Sequence, residues 1–264
     1  MASRISGTDI VCGWINGARF FARNGETGLT QNIYTGLQEF ADMAYMLHVL
    51  RPSDLFVDIG ANVGSYTILA CKAVGASGYA FEPIPATFAR LRENIRLNHI
   101  EDKVVCLNVG IGEAPAAIRF TACLDTVNHV LAAGEVDADA IEVPVVMLDS
   151  VMNDKHPSLI KVDVEGYETP VIKGAMETLR NPALHSVIIE LNGSGDRYNF
   201  HESNILDSML GHGFGTYNYE PFTRSLEKLD GKSRSGNTLF IRDVDRVIER
   251  LRTAPKIAVL GREL

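Results

Sequence analysis

The sequence is poor in several features that would have settled its class at once. Its four cysteines, Cys12, Cys71, Cys106 and Cys123, are scattered and include no C-x-x-C pair. That excludes a disulfide framework and a zinc-finger spacing, and it reads as reduced thiols in an intracellular protein. No stretch approaches the roughly 18 apolar residues that a membrane-spanning helix needs. The opening MASRISGTDI has no apolar signal core. Lys/Arg-rich runs are absent too: 25 basic residues face 33 acidic ones, for a net charge of −8, which argues against a large phosphate-backbone footprint. Internal repeats and low-complexity tracts are missing. What remains is a soluble cytoplasmic protein with neither membrane nor nucleic acid as partner. Its 264 residues, 46% of them hydrophobic, suffice for the core of one α/β domain.

What is present is alternation. Residues 9–23 read as two strand-like runs around Asn16-Gly17, a tight hairpin turn, and Asn24-Gly25 is a second turn signal. Residues 37–50 are helical, with Phe40, Met43, Ala44, Leu47 and Leu50 at three- and four-residue spacing. Apolar strands are then expected at 55–59, 79–81, 104–109, 159–162 and 186–191. Helices lie between them, at about 65–74, after the second strand with Phe88, Leu91 and Ile95 on one face, and at about 168–179. Strands apolar on both faces, separated by amphipathic helices, imply a parallel sheet covered on both sides. Further strands are expected at 216–219 and 237–242, and a last helix with Asp243 as its cap. Residues 111–148 interrupt the rhythm with two strand-like runs. They are expected to lie over the carboxyl ends of the strands, where open α/β sheets place ligands.

The informative residues sit where the first strand meets its helix: Asp58-x-Gly60-x-Asn62-x-Gly64. Gly60 can take a backbone conformation closed to other residues, and Gly64 permits close approach of the helix. Asn62, in place of a glycine, is the side chain best able to occupy a left-handed position. Glu82 ends the second strand, where an acid can accept hydrogen bonds from a ribose diol. Asp58 decides the ligand class. A carboxylate beside this turn repels the pyrophosphate of a dinucleotide but attracts a ligand carrying an ammonium and a sulfonium. S-adenosylmethionine has that charge pattern.

The second motif, LIKVDVEGYETPVIKGA, begins at Leu159. Asp163 falls at a strand's carboxyl end, where a carboxylate is costly unless something binds it. Gly166 permits a sharp turn, and Glu168 suits the first turn of a helix. FVDIGANVGSYTILA, FEP and IKVDVEGYE…VIKGA, in this order and spacing over residues 36–242, resemble the FkbM family of S-adenosylmethionine-dependent methyltransferases. The resemblance implies a Rossmann-like, seven-stranded methyltransferase fold with helices on both faces. It divides the chain into an N-terminal β-hairpin extension (1–36), a methyltransferase domain (37–242) and a C-terminal helix and tail (243–264). It implies O-methylation of a sugar or a glycosylated or polyketide secondary metabolite, with S-adenosylhomocysteine as coproduct. Donor contacts are implied at Asp58, Gly60, Asn62, Gly64 and Glu82, with the adjoining Ser65 and Pro83, and active-site duty at Asp163 and Glu165. Related methyltransferases often hold adenine with an aspartate after the third strand. Here that stretch reads NVGIGEA, which leaves backbone groups near Val109 and Gly110.

An alcohol acceptor must lose a proton as its oxygen is methylated. Asp163 is the first candidate, either as the base or as a donor contact that stabilises the sulfonium, and His129, by histidine's ordinary pKa, is the second candidate base. Asn128 is placed to orient the acceptor. Glu190 and Asn192 end the fifth strand as substrate contacts. With Asp163 they offer hard oxygen ligands for Mg²⁺, although no dedicated metal-loop spacing is present. His156, His185, His201 and His212 show no partner pattern. Lys161 inside an apolar strand requires a buried carboxylate. Trp14 either packs, walls the acceptor pocket or supports a homodimer. The rival readings are a carboxylate, amine or peptide acceptor, a nicotinamide oxidoreductase, and a non-catalytic donor-binding scaffold.

Overall fold

A computed structural model describes residues 3–5, 9–23, 29–121, 128–132 and 134–264. The turn expected at Asn24-Gly25 and the thiol of Cys123 lie outside the described residues.

Five parallel strands form the heart of the main sheet. In spatial order they are Ser186–Glu190, Leu159–Val162, Leu55–Ile59, Ser77–Phe81 and Val104–Leu107. Asn237–Ile241 joins antiparallel to Ser186–Glu190, and Gly215–Glu220 pairs with it in turn. Seven strands were expected. The sheet has eight, because Ser225–Lys228 folds back antiparallel on Gly215–Glu220 at the edge. That strand is largely exposed and carries no apolar alternation, so periodicity could not show it.

Two-residue alternation sorts the strand side chains onto two faces. Val57, Ile59, Ile160, Val162, Val187 and Ile189 face one core, closed by Val171 and Ile172 of helix Glu168–Lys173 and by Ile205 and Met209 of helix Glu202–Gly211. Phe56, Leu159, Ile188 and Leu239 face the other. It is closed by helix Phe40–Val49, by residues of the Ser65–Val74 segment, and by Val247 and Leu251 of helix Val244–Arg252. Asp58, Lys161 and Glu190 occupy positions on this second face by the same alternation. They meet beneath helix Phe40–Val49.

The chain builds outward from Leu55–Ile59 in one direction, then returns to Leu159–Val162 and builds outward in the other. The connections that leave the carboxyl ends of these two paired strands run in opposite directions, which leaves a crevice at that edge of the sheet. The described residues among 111–148 do not join the main sheet. Gly110–Ile111, Ala116–Phe120 and Ile141–Val146 form a separate three-stranded sheet. Phe120, Val143 and Val145 pack in it against Ile84.

The N-terminal extension is a three-stranded sheet, not only a hairpin, because Ser3–Ile5 adds antiparallel to Asp9–Gly13. The turn is where Asn16-Gly17 placed it, with φ of +48° and +77°. Trp14 is a packing residue: its indole Nε1 donates to the Gly36 carbonyl at 2.6 Å and its ring meets Phe20 edge-on. The C-terminal tail likewise folds, Ala258–Val259 pairing with Arg262–Glu263. Asp243 precedes helix Val244–Arg252 but its side chain makes no capping hydrogen bond, since its own backbone is left-handed. No described helix is long and apolar enough to cross a membrane.

Candidate active site

The crevice at the switch point opens into a cavity floored by the Asp58–Asn62 turn and walled by Glu82, Asp163, Glu165 and Glu190. The turn is built from left-handed residues: φ is +80° at Gly60, +50° at Asn62 and +98° at Gly64. Asn62 steadies its own strained position by accepting the Val63 N–H on Oδ1 at 2.7 Å. Gly60 serves a close approach between loops. A Cβ there would lie 1.7 Å from the Asp163 carbonyl oxygen, so the loops after the first and fourth strands touch backbone to backbone. Gly64 stands behind the turn, where a Cβ would meet Leu91.

Asp58 is 2% exposed and accepts the Thr67 hydroxyl at 2.5 Å. Burial pushes its carboxyl up to about 6. Glu82 is held as a two-pronged acceptor, its Oε2 taking the Asn62 N–H and its Oε1 the Ile84 N–H, both at 2.9 Å. Burial pushes it up to about 7. Each of its oxygens keeps a second lone pair for a ligand. Ser65, Pro83, Val109 and Gly110 also line the cavity, as does Asn128. Asn108, absent from the sequence reading, ties this wall together by donating to the carbonyls of Glu82 and Pro83.

Lys161 finds its partner in Asp163. The ammonium is 1% exposed and lies 3.1 Å from Asp163 Oδ2. It also donates to Asn237 Oδ1 at 3.0 Å, and Asn237 Nδ2 donates to Asp42 Oδ2 at 3.1 Å. The Tyr66 ring lies 5.5 Å away. Burial alone would push Lys161 down, but Asp163, Glu39 and Glu190 together hold it above its ordinary value.

Two expected site residues stand apart from the cavity wall. His129 pairs through Nε2 with Glu135 at 3.1 Å and does not line the cavity. Asn192 is exposed and turns its Oδ1 to the Ser194 N–H, as a short turn after the strand requires. The hard-oxygen cluster that does exist is Asp163, Glu165 and Glu190, with ligand atoms within 4.8 Å of one another. It fits a divalent ion poorly, because the Lys161 ammonium already sits against Asp163 and would repel a second cation. Sequence reasoning missed Glu39 and Tyr66, which line the cavity from helix Phe40–Val49 and the turn's own helix and hydrogen-bond each other.

An open α/β sheet with its ligand cavity at the switch point, acids closing the first two strands and an acid triad opposite them, defines a Rossmann-like methyltransferase fold. Residues 58–215 match the family model described as the methyltransferase FkbM domain. The match spans more than half of the chain, which belongs to the FkbM methyltransferase family. It is 27% identical over 155 residues to the hexuronic acid methyltransferase AglP of Haloferax volcanii, covering 57% of this chain and 61% of that one. It is 28% identical over 209 residues to the 31-O-demethyl-FK506 methyltransferase FkbM of Streptomyces tacrolimicus, covering 66% of this chain and 78% of that one. A crystal structure of methyltransferase FkbM from Methylobacillus flagellatus KT aligns with a TM-score of 0.49 and 19% identity, over 73% of this chain and 44% of that chain. The chain thus spans under two thirds of the length of the Haloferax protein and under half of the crystallised one.

Proposed function

We propose that this chain transfers a methyl group from S-adenosylmethionine to a hydroxyl of an uncharged small molecule of the sugar or polyketide kind. The observation that carries the reading is the charge of the cavity. Among its described lining residues, six carboxylates (Glu39, Asp58, Glu82, Asp163, Glu165 and Glu190) face Lys161 as the single Lys or Arg. Such walls welcome a ligand with a sulfonium and an ammonium, and they disfavour pyrophosphate, phosphodiester or uronate.

The donor, when bound, supplies an electrophilic methyl group on a good leaving group. The rest falls to the chain. Glu82, fixed by two amides, suits a ribose diol, and Asp58 sets a negative potential at the floor. Val109 and Gly110 offer an apolar edge for a base. The turn and the small sheet of residues 110–146 enclose the cleft, and enclosure is what converts binding into alignment of the acceptor oxygen, worth several powers of ten in rate. The carboxylates of Asp163, Glu165 and Glu190 are available for the proton that an alcohol must lose. The name of one relative, a methyltransferase of 31-O-demethyl-FK506, supports a neutral, oxygen-rich acceptor, whereas the hexuronic acid named for the Haloferax protein would carry a charge that these walls disfavour.

Calorimetry with S-adenosylhomocysteine tests the donor assignment. Wild-type protein is expected to bind it, and Asp58→Ala to bind it ~10- to 100-fold more weakly. Unchanged affinity in the variant, or binding of NADH in its place, would remove the reading. Methyl transfer from labelled donor to a panel of neutral glycosides and macrolides then names the acceptor.

A further inference from the structure

Asp163, Glu165 and Glu190 bring carboxylate oxygens within 4.8 Å of one another, and the one ammonium against them, that of Lys161, is paired with Asp163; one cation for three half-buried carboxylates favours a proton held in the donor-free site. Its location follows from the hydrogen bonds. Lys161 Nζ is committed to Asp163 Oδ2 on one side and Asn237 on the other. Glu165 sits on the loop, beyond direct reach of any described cation's hydrogen bond. Glu190 lies at the end of the neighbouring strand, opposite Asn237 in register. Its Oε2 is buried with no N–H or O–H donor among the described residues, and the side chain within hydrogen-bonding reach of Glu190 is the Asp163 carboxylate, with which a bond needs a proton. An orphaned carboxylate oxygen beside an ion-paired aspartate is the natural seat for a proton.

We propose that Glu190 carries this proton in the donor-free protein, gives it up when the cationic donor enters, and then serves as the base for the acceptor hydroxyl. Lys161 is the positioning residue that assigns the roles, by reserving Asp163 as its own counter-ion. The inference rests on the donor reading above and adds to it the identity of the base. The groups facing Glu190 are Asp163 and Lys161 from the adjacent strand, Glu165 from the loop and Asn237 from the strand on its other side; Glu39 and Asp42 face Lys161 from behind. Burial, with Asp163 beside it, pushes the Glu190 carboxyl up to about 8. A positive charge arriving within about 4–6 Å lowers a carboxyl by about one to three pH units, which brings Glu190 from about 8 to neutrality or below. In the reaction the acceptor's O–H bond breaks with its proton passing to Glu190. Its C–O bond forms as the donor's C–S bond breaks, the electron pair staying on sulfur.

The test counts protons and needs no acceptor. Binding heats are measured at pH 7 in two buffers of different ionisation enthalpy, with S-adenosylmethionine and with S-adenosylhomocysteine, whose sulfur is uncharged. Wild-type protein is expected to release ~0.4 to 0.9 proton more with the cationic ligand than with the neutral one. Glu190→Gln is expected to bind both and lose that difference, while Glu165→Gln keeps it. Equal proton release with the two ligands in wild type, or an undiminished difference in Glu190→Gln, would overturn the proposal. Absence of any binding heat with either ligand would instead overturn the donor assignment beneath it.

Discussion

At Gly60 one missing methyl group decides whether two loops can meet, since a Cβ there would lie 1.7 Å from the Asp163 carbonyl oxygen. Gly60→Ala must push backbone against backbone in a residue already at φ +80°. We expect it to lower stability by at least ~2 kcal/mol and to lose S-adenosylhomocysteine binding, read by urea denaturation and calorimetry. Glu82→Gln places an amide where two backbone N–H groups, of Asn62 and Ile84, need acceptors. One of those bonds turns repulsive, and donor affinity is expected to fall ~10-fold or more; equal affinity would show that the ribose contact lies elsewhere. Several residue-scale features were legible beforehand. Asn62 was the residue able to bear a left-handed turn, and it does. That Lys161 needs a carboxylate was legible too, but which one was not: Asp163, two positions on in an extended segment, shares its face and is the partner. Glu39 was not legible as a lining residue, because its place depends on where helix Phe40–Val49 crosses the sheet. His129 and Asn192, expected as site residues, do not line the cavity: His129 Nε2 meets Glu135 and Asn192 Oδ1 takes the Ser194 N–H.

Helix Pro85–Leu97 shows what an element does beyond its apolar stripe. Phe88, Leu91 and Ile95 gave the helix away, but Asn94 and Asn98 give it a second task. Asn94 Oδ1 accepts the Phe21 N–H and its Nδ2 donates to the Val63 carbonyl. Asn98 Oδ1 accepts the Arg19 N–H while its Nδ2 reaches the Arg19 carbonyl. The two amides thus stand in for a further strand along the edge of the N-terminal sheet. Asn94 is fully buried, so Asn94→Ala strands an N–H and a carbonyl. We expect a loss of ~1–3 kcal/mol, with faster amide exchange at Phe21 as the local signature; normal protection at Phe21 would refute the clasp. The four-residue spacing from Asn94 to Asn98 puts both amides on one stripe of the helix, but the sequence did not say what that stripe would meet. The break in the helix expected over residues 168–179 was not readable. It falls at Gly174, where a Cβ would lie 1.9 Å from the carbonyl of Gly112, a contact between distant parts of the chain.

Taken whole, the molecule buries acids and histidines whose pH responses oppose each other. Burial pushes Glu168 up to about 7, as it does Glu82. These carboxyls hold protons more tightly folded than unfolded, so they add stability at low pH that is lost as pH rises through about 7. His48 and His185 run the other way, pushed by burial down to about 4 and about 3. They carry no penalty above 6.5, and each destabilises the fold as pH falls from there toward its folded value. His48→Gln should remove its share: relative to wild type, the variant is expected to gain roughly 3 kcal/mol between pH 7 and pH 4, at ~1.4 kcal/mol per pH unit. Parallel urea titrations at the two pH values check the sign, and a constant difference would refute it. At this scale the parallel sheet, the switch point and the ligand edge were readable from the alternation of strands and helices. The eighth strand and the folded tail were not, since short exposed strands carry no periodic signal. One contact bears on how such enzymes can be recombined. Because the carbonyl of Asp163 occupies the space that any side chain at Gly60 would claim, a chimera joined between these loops must take both from the same parent.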